Sequence, residues 1–293
     1  MCKLTELFCL VDDFSQAFMP CFERYLLSER TRQRHKPCRM SSCEIMTIMI
    51  YFHQSGHRNF KNYYTKMHWF LKPYFPNLLS YNRFVEVMRS VTFPLVFFIL
   101  YRDRTETGIY FVDSTVLKVC HIKREPSHRV FDGIATKGKS SMGWFFGFKL
   151  HIVINDIGEI MAFMLTPANT DDREPVPDLT KNLFGELIGD KGYISQKLFD
   201  GLMQKGLQLI TKIKKNMKQK IVSNHEKLLL RKRAVVESVI DQLKNISQIE
   251  HSRHRSPWNF IINLLSGLSA YALREKKPSI NLHESRGTNL VIF

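Results

Sequence analysis

Gly108-Ile109-Tyr110-Phe111-Val112-Asp113-Ser114-Thr115 and, later in the chain, Leu187-Ile188-Gly189-Asp190-Lys191-Gly192-Tyr193 decide how this sequence is read. In each, a short apolar run of β-forming residues ends on an aspartate. A carboxylate at the end of a buried strand is costly unless it is paired, hydrogen-bonded or bound to a metal. In open α/β sheets the carboxyl ends of strands are also where ligand chemistry collects. The two runs therefore predict two strands that deliver Asp113 and Asp190 to one rim of a sheet. Gly192 is expected to provide a tight turn with positive φ just after the second acid.

Working outward, Val116–Cys120 reads as a second short strand. Phe145–Asn155 and Glu159–Leu165 read as a hairpin across the turn Asn155-Asp156-Ile157-Gly158. Ser195–Lys205 has helical character, Leu207–Ile213 is a further strand, and Lys227–Ile246 and Ser256–Leu273 are helices, the last with Ser256 as cap and Pro257 at its first position. A meander followed by alternating strands and helices predicts a mixed α/β sheet with helices on both faces.

Residues before about 105 read differently, as helices over Leu4–Phe18, Glu44–Phe52 (capped by Ser41 or Ser42), Asn59–Phe70 and Tyr81–Val91. Arg30, Arg32, Arg34, Lys36, Arg39, Arg58, Lys61 and Lys66 crowd this region, a composition that suits a helix-turn-helix DNA reader and equally a plain helical scaffold. The division expected is a helical, DNA-binding N-terminal domain over 1–105, an α/β catalytic domain over 106–275 and a tail over 276–293.

A third acid sits on the helix predicted for Lys227–Ile246. Val236, Val239, Leu243 and Ile246 recur at spacings of three and four and make a buried stripe. Arg233, Glu237, Asp241 and Lys244 make a second stripe, about 140° away at roughly 100° per residue. Alone, that stripe reads as a surface ladder of ion pairs. Beside Asp113 and Asp190, Glu237 completes a strand-strand-helix set of hard oxygen donors, the set required for phosphoryl transfer by two divalent ions held roughly 3.5–4 Å apart.

The formal net charge of +16 points to a polyanionic partner. Lys212, Lys214, Lys215, Lys218 and Lys220 form either a solvated loop or, as this charge favours, a phosphate-binding edge. Hydrophobic residues at 44% and charged residues at 24% exclude a disordered chain. Cys2, Cys9, Cys21, Cys38, Cys43 and Cys120 form no CxxC pair and read as buried thiols rather than a disulfide framework or a zinc knuckle. Asp12 and Asp13 argue against a signal peptide, and Phe93–Tyr101 is too short to span a bilayer. A soluble, cytoplasmic, DNA-associated protein is expected.

From about Ile109 to Ala270 the chain resembles the DDE transposases of bacterial insertion sequences, particularly the IS982 group within the wider IS4-like set. Phe111-Val112-Asp113-Ser114-Thr115 and Gly189-Asp190-Lys191-Gly192-Tyr193 carry the resemblance, together with the spacing Arg233, three residues, Glu237, six residues, Lys244. Thr136–Ser140, Gly147–His151, Thr166–Arg173 and Gln248–Ser256 are similar as well. The resemblance implies an RNase H-like fold and a metal triad of Asp113, Asp190 and Glu237 holding Mg²⁺ or Mn²⁺, two ions in all. Arg233 and Lys244 would contact transposon-end phosphates. The activity implied is binding of terminal inverted repeats in double-stranded DNA, followed by cleavage and strand transfer by a homo-oligomer. Leu230 stands where the family's signature has tyrosine, which keeps open a decayed or domesticated DNA-binding protein, or a nuclease of the same fold.

Lys139, Lys191, Arg253 and Arg255 join the candidate phosphate contacts. His151 reads as a satisfied strand histidine, Asp172 as a cap ahead of Arg173, and Trp144 and Trp258 as hydrophobic anchors rather than base-stacking rings.

Overall fold

A computed structural model describes residues 3–28, 38–102, 104–212, 223–250 and 254–280. Helices α1 (Lys3–Ser28), α2 (Ser42–Gln54), α3 (Phe60–Lys66), α4 (His68–Leu71), α5 (Tyr81–Val87) and α6 (Thr92–Leu100) come first. Strands β1 (Ile109–Cys120), β2 (Thr136–Ser140), β3 (Gly143–Asn155) and β4 (Ile160–Pro167) follow. Then come α7 (Val176–Leu179), β5 (Gly185–Gly189), α8 (Gln196–Met203), β6 (Leu207–Thr211), α9 (Asn224–Lys232), α10 (Ala234–Asp241) and α11 (Pro257–Ala272). The chain forms two compact units: a helical unit of Met1–Asp103, Val119–Ile134 and Asp241–Arg274, and a sheet unit of Arg104–Lys118, Ala135–Ile240 and Glu275–Phe293.

In the helical unit, α2 starts where the sequence places it. Ser41 accepts the Glu44 N–H and Glu44 returns a bond to the Ser41 N–H, closing a capping box that satisfies two donors of the first turn. α2 packs against α1 and α11, and α11 also packs against α6. The apolar run at Phe93 is thus a core helix; Pro94 lies in its first turn, where no intrahelical N–H bond is lost. His53 is buried in this unit with Nδ1 against the Ser247 carbonyl oxygen. The helix expected over Asn59–Phe70 is broken at Met67 into α3 and α4. Cys43 is buried, but Cys9, Cys21 and Cys38 are exposed, so the expectation of buried thiols fails for them: the faces of α1 that carry Cys9 and Cys21 are not covered.

The sheet unit is the mixed α/β, RNase H-like arrangement expected, with six strands among the described residues in the order β2-β3-β1-β5-β6 and β4 also pairing β3. β5 lies parallel between β1 and β6, while β2 and β4 run antiparallel to β3. β2 is a strand the sequence did not reveal; Thr136–Ser140 has no apolar alternation, and its pairing with β3 makes it extended. One sheet face carries Tyr110, Val112, Leu187, Leu207 and Leu209, packed with Leu179 of α7 and Leu198 and Leu202 of α8. No helix among the described residues is long and apolar enough to cross a membrane.

Gly147 marks the tightest approach between β3 and β1, because a Cβ there would lie 2.1 Å from the Leu117 carbonyl oxygen. Gly147→Ala is expected to lower stability by about 1–3 kcal/mol, measured by urea unfolding. Burial lowers the pKa of His53 from 6.5 to about 4. The folded chain then binds fewer protons than the unfolded chain between these values, so this contribution is complete above about pH 6.5 and is lost as pH falls to about 4. The urea midpoint should fall across that window, less steeply in His53→Asn; His151 and His254, also lowered to about 4, retain part of the slope.

Candidate active site

β1 does not stop at Asp113, as the sequence suggested. It runs unbroken to Cys120, because Ser114 and Thr115 stay extended and the Ser114 N–H donates to Asp113 Oδ1 at 2.8 Å. The feature that ends beside Asp113 is the neighbouring strand. β1 pairs β5 in parallel with Ile109 opposite Glu186, Tyr110 opposite Leu187 and Phe111 opposite Ile188. The pairing ends at Phe111 and Ile188, two residues before Asp113 on β1 and two before Asp190, the residue that follows β5. Tyr110, Val112 and Leu187 face the α7–α8 core. With a side-chain period of two, Asp113 falls on the opposite face, and Asp190 stands just past the end of the neighbouring strand.

Asp113 is the more enclosed acid, with its side chain 20% exposed. Burial pushes its carboxyl above the usual carboxylate range, against the pull of the Arg233 guanidinium and the Ser114 N–H. Asp190 is exposed and caps the following turn, accepting the Lys191 N–H at 2.6 Å. That turn is 3₁₀-helical and needs no positive φ, so Gly192 does not have the conformational role expected of it.

The third acid arrives on a helix that differs from the expected one. A capping box at Ser223 and Glu226 starts α9 at Asn224. α9 is fastened to the sheet by His225 on Glu186 at 2.8 Å and by Gln208 on Glu226 at 3.1 Å. The helix is interrupted at Arg233, resumes as α10 and ends in a π-helical turn over Gln242–Ile246. Val236, Val239 and Leu243 are buried as the stripe predicts. Ile246 is exposed, because the wider π turn rotates it off the 3.6-residue period.

The interruption delivers Arg233 to the sheet. Its side chain is 16% exposed; Nη1 donates to Asp113 Oδ2 at 3.1 Å and Nη2 to Glu237 Oε1 at 2.7 Å. One guanidinium thereby joins the strand acid to the helix acid, while Glu237 remains 59% exposed. Among the described residues no three His, Cys, Asp or Glu side chains form a group ready to hold a metal ion. The donor types present, carboxylates on β1, directly after β5 and on α10, are those a hard divalent cation takes, and in this structure a guanidinium bridges two of them.

A residue read as a cap belongs to this neighbourhood instead. Asp172 Oδ1 accepts from Ser114 Oγ at 3.0 Å and from Lys149 Nζ at 3.0 Å, so it is tied to β1 and β3. The local turn is made by Asp171, which takes the Arg173 N–H and its guanidinium. No sequence signal separated the two adjacent aspartates. His151 is buried, bonded through Nε2 to Thr166 Oγ1 at 2.8 Å, with Nδ1 unpartnered among the described residues.

The remaining candidate phosphate contacts fall in both units. Lys139 stands over the Trp144 ring at 5.9 Å, Lys191 is exposed after Asp190, and Arg255 is exposed in the helical unit. Lys244, also of the helical unit, pairs with Glu250 at 3.0 Å. Arg253 and the lysines 214, 215, 218 and 220 lie outside the described residues. Trp144 and Trp258 are 59% and 51% exposed, so neither is the hydrophobic anchor expected.

Arg233→Ala should cost about 1–3 kcal/mol, since it leaves the enclosed Asp113 carboxylate without its cation. The cost should shrink in an Asp113→Asn background, and Arg233→Lys should recover it only in part, because an ammonium lacks the planar fork that reaches both acids. A double-mutant cycle of urea unfolding measures this coupling.

No curated protein and no solved structure matches the chain. The family model described as Transposase DDE domain matches residues 103–257, just over half of the 293 residues. That span begins ahead of β1 and takes in Asp113, Asp190, Arg233 and Glu237, and the chain belongs to the family of DDE-domain transposases.

Proposed function

We propose that the chain is the transposase of an IS982-group insertion sequence and that Asp113, Asp190 and Glu237 are its catalytic carboxylates. The observation that supports this reading is the Arg233 guanidinium joining Asp113 to Glu237, with Asp190 directly after β5, the parallel neighbour of β1. Asp113 and Glu237, with Asp190 alongside, would hold Mg²⁺ or Mn²⁺. Two such ions supply activation of a water or 3′-hydroxyl and stabilisation of the leaving oxygen.

The chain's own residues do the rest. Enclosure of Asp113 makes its charge costly in the free protein, a cost that a bound cation would relieve, and Ser114 and Lys149 hold Asp172 beside that strand. Arg233 offsets part of the charge of Asp113 and Glu237 in the free protein. A DNA phosphate offers its guanidinium a competing bidentate anion, so arrival of the substrate frees the carboxylates. The basic helical region 1–105 is assigned to DNA binding, 106–275 to catalysis and 276–293 to a tail. Pairing of two element ends calls for a homo-oligomer on DNA in the cytoplasm.

Cleavage of a labelled duplex bearing the element's own end, with Mg²⁺ or Mn²⁺, tests this reading. The wild type should nick at the end, while Glu237→Gln, Asp113→Asn and Asp190→Asn should bind the duplex without cutting. Equal cutting by wild type and Glu237→Gln overturns the assignment of the triad. Binding without cutting by every form identifies a DNA-binding relic, and cutting without joining in a strand-transfer assay identifies a nuclease.

A further inference from the structure

The helical unit holds a cleft of about 870 Å³ where three separate stretches of chain meet: the segment before α2, the α5 region and the first turn of α11. Leu79, Val85 and Val87 give it an apolar wall. Trp258, half exposed, presents its indole on another side. Arg39, Arg83 and Arg89 supply the charge. Arg83 is committed to Glu86 at 2.7 Å, and that pair is neutral. Arg39 and Arg89 are exposed and have no ion-pair partner among the described residues.

Two uncompensated guanidinium groups beside one concavity repel each other, and a half-exposed indole leaves apolar surface in water. Both costs are relieved by a ligand that is flat and π-faced on one side and anionic on the other. A volume within the ~300–1,000 Å³ range of small-ligand sites suits such a group. Guanidinium groups favour phosphate oxygens over a point anion, because their planar forks bind two oxygens at once. A nucleotide combines these properties. In an intact duplex the base faces are stacked and unavailable to an indole, whereas in an unpaired strand they are free.

We propose that this cleft binds an unpaired DNA strand, with a base stacked on Trp258 and adjoining phosphates held by Arg39 and Arg89. The inference rests on DNA being the substrate and is independent of the metal chemistry assigned to the carboxylates. It places a single-strand site in the helical unit, where a strand released by end cleavage would be retained.

The test is fluorescence anisotropy in EDTA with a labelled single-stranded oligonucleotide, a duplex of equal length and a deoxynucleoside monophosphate as competitor. Wild type, Trp258→Ala and the double variant Arg39→Gln/Arg89→Gln are compared after their urea midpoints are shown to match. Trp258→Ala should weaken single-strand binding by about 10-fold and leave duplex binding unchanged. The double Arg variant should weaken it too, with a salt slope shallower by about 1.4 for two lost phosphate contacts. Single-strand affinity equal to wild type in both variants overturns the proposal. So does competition by the monophosphate as effective as that by the strand, which would make the cleft a free-nucleotide site. Because no divalent ion is present, failure here leaves the cleavage assay untouched, and failure of cleavage leaves this binding result standing.

Discussion

The parallel pairing of β1 with β5 is the constraint from which the site follows. Once Phe111 lies opposite Ile188, the period of two sends Asp113 to the face away from Tyr110 and Val112, and β5 ends directly before Asp190. A slip of one residue would turn Tyr110, Val112 or Leu187 out of the α7–α8 core and move an acid into it. Burial of large apolar side chains therefore fixes carboxylate placement, although those side chains take no part in chemistry.

The same arrangement creates an electrostatic problem, which Arg233 resolves. An enclosed carboxylate near two others destabilises the free protein unless a cation is present. The interruption between α9 and α10 brings a guanidinium to that position, and the fastening of α9 to β5 and β6 keeps it there. The two carboxylates that Arg233 bridges are thereby held together in the free protein. Asp172, bonded to Ser114 and Lys149, adds a neighbouring carboxylate whose charge is already matched.

Much of this was legible in the sequence, for identifiable reasons. The hairpin across Asn155–Gly158, the capping box at Ser41 and the helix start at Ser256 are local signals, and each is found in the fold; β5 ends directly before its acid, whereas β1 runs on past Asp113. What stayed hidden depends on contacts distant in the chain. β2 has no apolar alternation and is a strand only through β3. Asp172 could not be told from Asp171 without knowing where β1 passes. The break at Arg233 and the π turn that exposes Ile246 come from packing that overrides a continuous helical pattern. Trp258 looked like an anchor because its α11 neighbours are apolar, whereas its own position on that helix is open.

Direct titration of Mn²⁺ into the full chain, followed by electron paramagnetic resonance, tests most directly whether the three carboxylates make one cation site. Binding should weaken in Asp113→Asn, Asp190→Asn and Glu237→Gln alike, and should tighten in Arg233→Met, which removes the competing internal cation. Mn²⁺ affinity unchanged by loss of any one of the three acids would contradict the account, and weaker binding in Arg233→Met would show that the guanidinium supports the ion rather than standing in its place.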